Sequence, residues 1–255
     1  MTGGRVQESA HGLLPMIGLA LVLLAWAAAT SRWNIPASVL PGPRDVGLAL
    51  YRGWIGGELH SHIGFTLTAS LTGAAIGCGI GFLLGIVVGE SISANRFLYP
   101  VVAGLQAMPV IALAPLLMVW WGLGIESKIA IVAINCVTPL FISTVAGIRS
   151  ANPALLDLYR VYGANRFRTL LHVKLPNALD YVFGGLQIAV VLSYINCVVA
   201  EFIASQRGLG YLIKAYSGQL EVSMMFAAIV SLALMGSLTA GAVRWLHRRI
   251  VHWSA

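Results

Sequence analysis

Six long stretches without Asp, Glu, Lys or Arg dominate this chain. They cover residues 9–31, 59–89, 97–125, 129–148, 181–200 and 222–243. Each has about the 20 residues that a helix needs to cross a hydrocarbon core of roughly 30 Å. Only 10% of the residues are charged, whereas about a quarter are charged in soluble proteins. The pattern therefore predicts an all-α polytopic membrane protein.

We expect one transmembrane domain over residues 1–255. Its six predicted helices are about 13–31, 64–89, 98–121, 129–148, 181–204 and 223–246, with a polar loop at 149–178. A cleaved signal peptide is an alternative for the first helix, because Arg5 precedes an apolar run that ends in small residues. That run exceeds the usual length of about 7 to 15 residues, so a membrane helix is preferred.

The basic residues are distributed unequally between the two sides that these spans define. With the amino terminus in the cytoplasm, ten of the sixteen fall inside and six fall outside. Cytoplasmic loops carry an excess of Lys and Arg, so both termini are predicted to be cytoplasmic. The net charge of +7 suits loops that face anionic lipid and needs no nucleic acid. On this assignment Lys128 and Glu201 belong to outside segments.

Glycines recur every four residues along the second predicted span. They therefore share one stripe, against which the backbone of another helix can approach closely. We expect that helix to belong to the same subunit rather than to a second copy. The stripe consists of Gly73, Gly77, Gly81, Gly85 and Gly89.

Prolines and amides in the third and fifth spans predict the transport pathway. Proline in a membrane helix frees backbone carbonyls, and such kinks tend to lie beside a cavity or a moving part. We expect a kink around Gln106 to Pro109 that lines a pathway; the alternative is a kink that only shapes packing. The candidate pathway residues are Gln106, Met108, Pro109, Gln187 and Asn196.

The polar loop reads as two short helices. Asn152 is a good N-cap, Pro153 suits the first helical position and Gly163 suits a left-handed helix end. These residues predict a first helix over 153–162. A second helix is predicted over 165–175, beginning near Asn165 and ending before Pro176, since proline disfavours a helical residue in front of it.

Three roles are open for this helix pair. Reading of DNA is disfavoured because membrane spans begin within a few residues on both sides and prevent docking into a groove. A helix pair lying on the lipid surface would satisfy the basic residues. The third role is a docking site for a cytoplasmic partner.

The loop resembles the EAA loop of permease subunits of binding-protein-dependent ABC importers. In that family a Glu-Ala-Ala triplet is followed after three residues by Gly, and at a fixed distance by Ile-x-Leu-Pro. Here Gly163 holds the glycine position and VKLP at 173–176 matches the ending, while the triplet at 157–159 reads Asp-Leu-Tyr. The resemblance implies ATPase-coupling residues at Asp157, Leu158, Tyr159, Gly163, Ala164, Arg166, Phe167, Arg168 and Pro176.

Other stretches are similar to the branch of these permeases that serves nitrate, taurine and aliphatic sulfonates. They include LPGPRDVGLAL, LQAMPVIALAPLLMVWWGLGIESKIAIV and AEFIASQRGLGYLI. The resemblance implies a type I importer permease fold with a cytoplasmic coupling-helix loop in a bacterial inner membrane. It also implies a second permease subunit, as a homodimer, a cytoplasmic ABC ATPase dimer and a periplasmic or extracellular binding protein. The implied substrate is a small anion such as a sulfonate, taurine or nitrate.

The chain is expected to transport rather than to catalyse. No G-x-x-x-x-G-K-[ST] phosphate loop is present in the sequence, so another chain must hydrolyse any ATP. Neither a cofactor nor a metal site is predicted. The alternatives are an ion-coupled secondary transporter, for which no charged residue lies near the middle of a span, and a membrane assembly protein. Glu201 and Arg207 at the outer side are expected to be solvated, or else to contact the binding protein.

Overall fold

The computed structural model describes residues 4–33, 36–107 and 109–252, and these form helices joined by short linkers. The helices are α1 (Gly4–Arg32), α2 (Pro43–Ile55), α3 (Glu58–Glu90), α4 (Ile92–Ala107), α5 (Val110–Trp121), α6 (Ile125–Arg149), α7 (Pro153–Val161), α8 (Arg166–Thr169), a π-helical turn (Leu170–Lys174), α9 (Leu175–Ala204), α10 (Leu209–Gly218) and α11 (Val222–Ile250).

Four helical segments in the described part of the chain are long and apolar enough to cross a membrane. They are α3, α6, the continuous helix Arg166–Ile203 and α11. Shorter apolar helical stretches, Ala20–Arg32 and Ala112–Trp121, overlap the first and third predicted spans. The prediction of an all-α polytopic membrane protein is confirmed, while the limits of the six spans stay predictions.

One compact unit contains the residues up to His60 together with Leu212–Val230. Within it, the rings of Trp26 and Phe226 lie 5.9 Å apart between their centroids. Leu59 is fully buried and packs where Gly53 has no side chain.

Tyr216 contacts the start of α3 within the same unit. Its hydroxyl donates a hydrogen bond to the carboxylate of Glu58. Burial, reinforced by this bond, raises the pKa of Tyr216 above its ordinary value. The phenol is therefore neutral at physiological pH.

The second unit contains Ser61–Tyr211 and the residues from Ser231 onward. Its core lies where α3, α6 and α9 meet, and small side chains allow the three helices to approach closely. The buried residues of this core are Ala69, Ala74, Cys78, Val132, Cys136, Leu140, Ala189 and Cys197. Two smaller clusters attach α5 and α4 to α6 through Met118 with Ile131 and Val102 with Phe141.

The glycine stripe of α3 packs against α6 of the same chain, as the sequence indicates. A Cβ added at Gly73 would lie 2.6 Å from Val132 Cβ, and one at Gly85 would lie 2.5 Å from Thr144 Cβ. At Gly77 it would lie 2.9 Å from the Ala133 carbonyl carbon. Each glycine therefore permits an approach that any larger residue would prevent.

The third predicted helix, 98–121, is divided into α4 and α5. Pro109 precedes α5 in an extended conformation, with φ −68° and ψ 101°. Proline has no N–H to continue the helical hydrogen bonds, and it disfavours a helical residue before it. The expected kink is thus a break between two helices, whereas Pro100 and Pro115 lie inside α4 and α5.

Candidate functional site

Helix α7 begins and ends at the predicted signals. The Asn152 side chain accepts a hydrogen bond of 2.9 Å from the Ala154 N–H, and Pro153 is the first helical residue. At the other end Gly163 adopts φ +70°. The N–H groups of Gly163 and Ala164 donate to the carbonyls of Arg160 and Tyr159, both at 2.9 Å. This is a Schellman motif, which fixes the direction in which the chain leaves the helix.

Helix α8 begins as predicted but does not end before Pro176. The Asn165 side chain caps it by accepting from the Arg168 N–H at 2.8 Å. The helix then passes through the π-helical turn directly into α9. In that turn the Leu175 N–H donates to the Leu170 carbonyl, five residues back. The wider turn accommodates Pro176, whose ring would meet a carbonyl in a regular α-helix.

Helices α7 and α8 present apolar side chains on an exposed surface, which we call the α7–α8 surface. Val161 is 83% exposed and Tyr162 is 82% exposed, although both are large and apolar. Exposed apolar patches are typical of interaction sites. The large apolar residues exposed here are Leu155, Leu158, Val161, Tyr162, Phe167 and Leu171.

Charged residues surround this surface. Asp157 is exposed and pairs with Arg160 at 2.9 Å on the same helix. Lys174 donates to Glu90 at 2.6 Å and so ties the π-helical turn to the end of α3. Arg166 and Arg168 are exposed. Between these groups lies a cavity of about 530 Å³, lined by residues that include Glu90, Arg160, Arg166 and Lys174.

The predicted coupling residues are gathered in this one region. Asp157, Leu158 and Tyr159 lie on α7, and Leu158 is about half exposed. Gly163 and Ala164 form the turn, Arg166, Phe167 and Arg168 form α8, and Pro176 lies at the start of α9.

The predicted pathway residues do not lie together in one region, in contrast to the predicted coupling residues. Met108 and the side chain of Gln106 lie outside the described residues, and Pro109 is exposed ahead of α5. Gln187 and Asn196 are partly exposed on α9, nine residues apart. At 3.6 residues per turn this spacing places them on opposite faces of one helix. The Asn196 amide also donates to the Leu192 carbonyl at 2.8 Å.

Glu201 is buried, contrary to the expectation that it is solvated. Its side chain is 1% exposed near the end of α9. One carboxylate oxygen, Oε1, accepts from the Thr66 hydroxyl at 2.8 Å and lies 3.5 Å from Cys197 Sγ. The other oxygen, Oε2, accepts from the Gly210 N–H at 2.7 Å. A carboxylate buried in this way joins α3, α9 and the start of α10.

Three successive backbone amides at the start of α10 meet side chains. The Gly208 N–H lies 3.0 Å from Nδ1 of His62, and the Leu209 N–H donates to Thr66 Oγ1 at 2.8 Å. Together with the bond from Gly210 to Glu201, three successive N–H groups at the helix start are satisfied. A carboxylate at this end also interacts favourably with the helix dipole.

Gly208 allows the carboxylate to lie this close to the loop. Its φ of +106° is a conformation that favours glycine, and an added Cβ would fall inside the Glu201 carboxylate. A Cβ at Gly210 would lie 2.8 Å from the Val198 carbonyl oxygen. The GLG sequence at 208–210 thus has a steric explanation.

Lys128 is buried beside this network, although the sequence assignment placed it in an outside segment. The residue is 0% exposed, and its ammonium donates to the Leu123 carbonyl at 2.7 Å. It also lies within Coulombic range of Glu201. Lys128 and Glu201 each lie at the end of an uncharged stretch, and the sequence therefore predicts that each is a surface charge. The sequence feature that could have indicated the burial of Glu201 is the pair of glycines at 208 and 210, because glycine lets a loop approach another group closely.

Comparison with known proteins places the chain in a family. Residues 77–252 match the binding-protein-dependent transport system inner membrane components. The chain therefore belongs to this family, and it is a permease component of an ABC importer. The resemblance to permease subunits of binding-protein-dependent ABC importers is confirmed.

Curated relatives cover nearly the whole chain. It is 36% identical to the riboflavin transport system permease protein RibX of Chloroflexus aurantiacus, over 94% of this chain and 89% of the relative. It is 31% identical to the putative aliphatic sulfonates transport permease protein SsuC of Escherichia coli, over 91% and 89%. The Escherichia coli taurine transport system permease protein TauC is 28% identical, over 92% and 87%.

A solved structure shares the fold. A chain of the inward-facing MetNI methionine ABC transporter matches with a TM-score of 0.67 and covers 75% of this chain and 95% of the transporter chain. Because the sequences are only 18% identical, this likeness supports the fold alone. The expected type I importer permease fold is confirmed.

Proposed function

We propose that this chain forms the translocation pathway of an ATP-driven importer and receives its motion through the α7–α8 surface. Two copies of the chain stand above a cytoplasmic ABC ATPase dimer, with both termini in the cytoplasm. A binding protein on the other side delivers the solute. The observation that carries the proposal is a capped helix pair whose large apolar side chains are exposed.

The composition of the α7–α8 surface suits a protein partner. Val161, Tyr162 and Phe167 are the most exposed of its apolar groups, and lipid contact through the basic residues alone would not require them. Leu158 and Tyr159 replace small residues of the family's triplet, so the ATPase cleft must have room for them. Arg166 and Arg168 add positive charge that an acidic rim of the cleft would complement.

The connection from this surface to the membrane helices is stiff. Helix α8 continues through the π-helical turn into α9, so a displacement of α8 moves α9 as one rod. The Lys174–Glu90 pair and a hydrogen bond of 3.2 Å from Arg149 to the Val88 carbonyl couple the same region to α3. ATPase closure would then rotate α9 and α3 together and open the pathway alternately to each side.

A small anion is the first candidate for the substrate. The names of several relatives refer to aliphatic sulfonates, taurine and bicarbonate. A heterocyclic compound is the second candidate, because the relative at 36% identity is named for riboflavin transport. The ligand of the binding protein encoded beside this chain would decide between them.

The docking role is tested at Gly163. Gly163→Pro is incompatible with φ +70° and breaks the turn, whereas Gly163→Asn is its matched control because asparagine tolerates the left-handed region. We expect the proline variant to lose co-purification with the ATPase and the asparagine variant to keep it. Arg96→Gln, an exposed change outside α7 and α8, should also keep it.

An intact complex that transports with Gly163→Pro would contradict the proposal. Equal loss of the ATPase in the asparagine and Arg96 variants would show that the effect is not specific to the turn. Circular dichroism and gel filtration of the three variants separate lost docking from lost folding.

A further inference from the structure

We propose that Glu201 and Lys128 are positioning residues that hold the two loops lining one cavity. The distribution of basic residues places these loops on the outer side, where the binding protein acts on them. The loops are 122–124, between α5 and α6, and 205–208, between α9 and α10. The part of the proposal that concerns the binding protein rests on the proposed function. The buried pair itself is an observation about this chain.

The cavity lies between the two loops. It has a volume of about 560 Å³ and is lined by residues from both of them and from the starts of α3 and α6. The lining from loop 122–124 includes Leu123, and the lining from loop 205–208 includes Gln206 and Arg207. Movement of either loop would therefore change the shape of the cavity.

Each loop is fixed by one member of the buried pair. Lys128 donates to the Leu123 carbonyl at 2.7 Å and so holds one wall. Glu201 accepts from the Gly210 N–H at 2.7 Å and, through Thr66, is linked to the Leu209 N–H. These bonds hold Leu209 and Gly210, which directly follow loop 205–208, the other wall of the cavity.

The two charges depend on each other. Burying a charge is costly unless it is paired and hydrogen-bonded, and Lys128 and Glu201 are 0% and 1% exposed. Glu201 attracts the Lys128 ammonium, so a neutral residue at 201 would also make the buried charge of Lys128 less favourable.

Both carboxylate oxygens are needed for the arrangement. Oε1 accepts from Thr66 and Oε2 accepts from Gly210. A glutamine has one acceptor oxygen; if that oxygen keeps the Gly210 N–H, the NH₂ group faces Thr66 Oγ1, which already accepts from the Leu209 N–H. The Thr66 hydroxyl must then accept a second bond instead of donating one. Glu201→Gln therefore keeps the volume of the side chain but removes its charge and reverses the bond to Thr66.

The position of the loops is measured with two spin labels in the full chain in lipid nanodiscs. The labels are placed at one exposed, cavity-lining position in each loop, Leu123→Cys and Gln206→Cys, and labelled chains are diluted with unlabelled chains. The native cysteines are buried, and a sample without the added cysteines measures any label on them. We expect one narrow distance distribution in the unaltered background.

Four variants isolate the contribution of the network. Glu201→Gln and Thr66→Val should each broaden or shift the distribution. Thr66→Ser keeps the hydroxyl and should restore it. Glu221→Gln removes an exposed carboxylate elsewhere in the chain and should leave it unchanged.

The functional readout is the ratio of ATPase rates with and without the binding protein in the assembled complex. If the network positions the loops for the binding protein, Glu201→Gln and Thr66→Val should lower this ratio toward one. Thr66→Ser and Glu221→Gln should retain the wild-type ratio. A purely stabilising role would lower the amount of folded complex without changing the ratio.

The proposal is overturned if Glu201→Gln and Thr66→Val leave both the distances and the ratio unchanged, or if Thr66→Ser and Glu221→Gln change them equally. Should Glu201→Gln not fold, the Thr66→Val and Thr66→Ser pair decides. If the unaltered complex shows no stimulation by the binding protein, the proposed function fails. The distance measurement still supports or refutes the positioning role in that case.

Discussion

The packing of α3 on α6 makes a sharp prediction for Gly77→Ala. A Cβ at this position would lie 2.9 Å from the Ala133 carbonyl carbon and 2.9 Å from Cys136 Cβ, and closer still to the Ala133 carbonyl oxygen. Ordinary contacts begin at 3.4 Å. Because two of the neighbouring atoms are backbone, a side-chain rotation cannot relieve the clash, and the helices must separate.

The cost can be isolated by a second alanine on the same helix. A Cβ at Gly79 would meet nothing within 4 Å. Both substitutions gain the same helix propensity, about 1 kcal/mol, so their difference reports the packing. Overpacking a close contact costs about 1 to 3 kcal/mol, and we expect Gly77→Ala to be less stable than Gly79→Ala by that amount.

Thermal unfolding of the two purified variants in one detergent measures this difference. At roughly 2 to 4 °C per kcal/mol for a chain of this size, Gly77→Ala should melt about 5 °C below Gly79→Ala. Reaction of Cys136 with a thiol reagent should also become faster in Gly77→Ala, since this residue is buried at the contact. Equal melting temperatures would refute the close approach of α3 and α6.

Two further substitutions test local features. Asn152→Ala removes the cap of α7 and should cost about 1 kcal/mol, seen as faster hydrogen exchange in α7 but not in α6, whereas Asn152→Asp should retain the cap. Tyr216→Phe removes the bond to Glu58 and should cost about 1 to 3 kcal/mol at neutral pH. Because the pKa of Tyr216 is raised in the fold, its stabilisation is complete below the unfolded pKa of about 10 and is lost as pH rises through the folded pKa. Melting curves at increasing pH should show this loss in the parent chain and not in Tyr216→Phe; the same alkaline loss in both would contradict it.

The helix pair was predictable because its signals are local. Asn152, Pro153 and Gly163 each act on backbone groups within five residues, so capping rules apply to the sequence directly. Close helix packing at the glycine stripe was equally predictable, because the four-residue spacing of the glycines matches the helical repeat. Its partner in α6 required the structure, although a partner in the same chain was expected.

The sequence did not predict that the helix continues from α8 through Pro176 into α9. The reason is again local. Proline normally ends a helix, but one extra residue in the preceding turn removes the clash. No residue type marks such a turn in a single sequence. Its consequence is large, because it converts a loop next to a membrane helix into one continuous rod.

The buried pair was missed because its contacts are distant in the chain. Thr66 and Glu201 are 135 residues apart, and a charge at the edge of an uncharged window reads as a solvated end of a span. Only the packing of α3, α6 and α9 shows that Glu201 and Lys128 lie inside. The same packing explains the glycines at 208 and 210.

The most direct test of importer function is uptake into proteoliposomes that contain this chain, the ATPase and the binding protein. Taurine or a short alkanesulfonate, matched to the binding protein's ligand, serves as the labelled solute. Uptake should require ATP, persist when the proton gradient is collapsed, and disappear with Gly163→Pro but not with Gly163→Asn. Uptake that follows the gradient without ATP would contradict the account and favour an ion-coupled transporter.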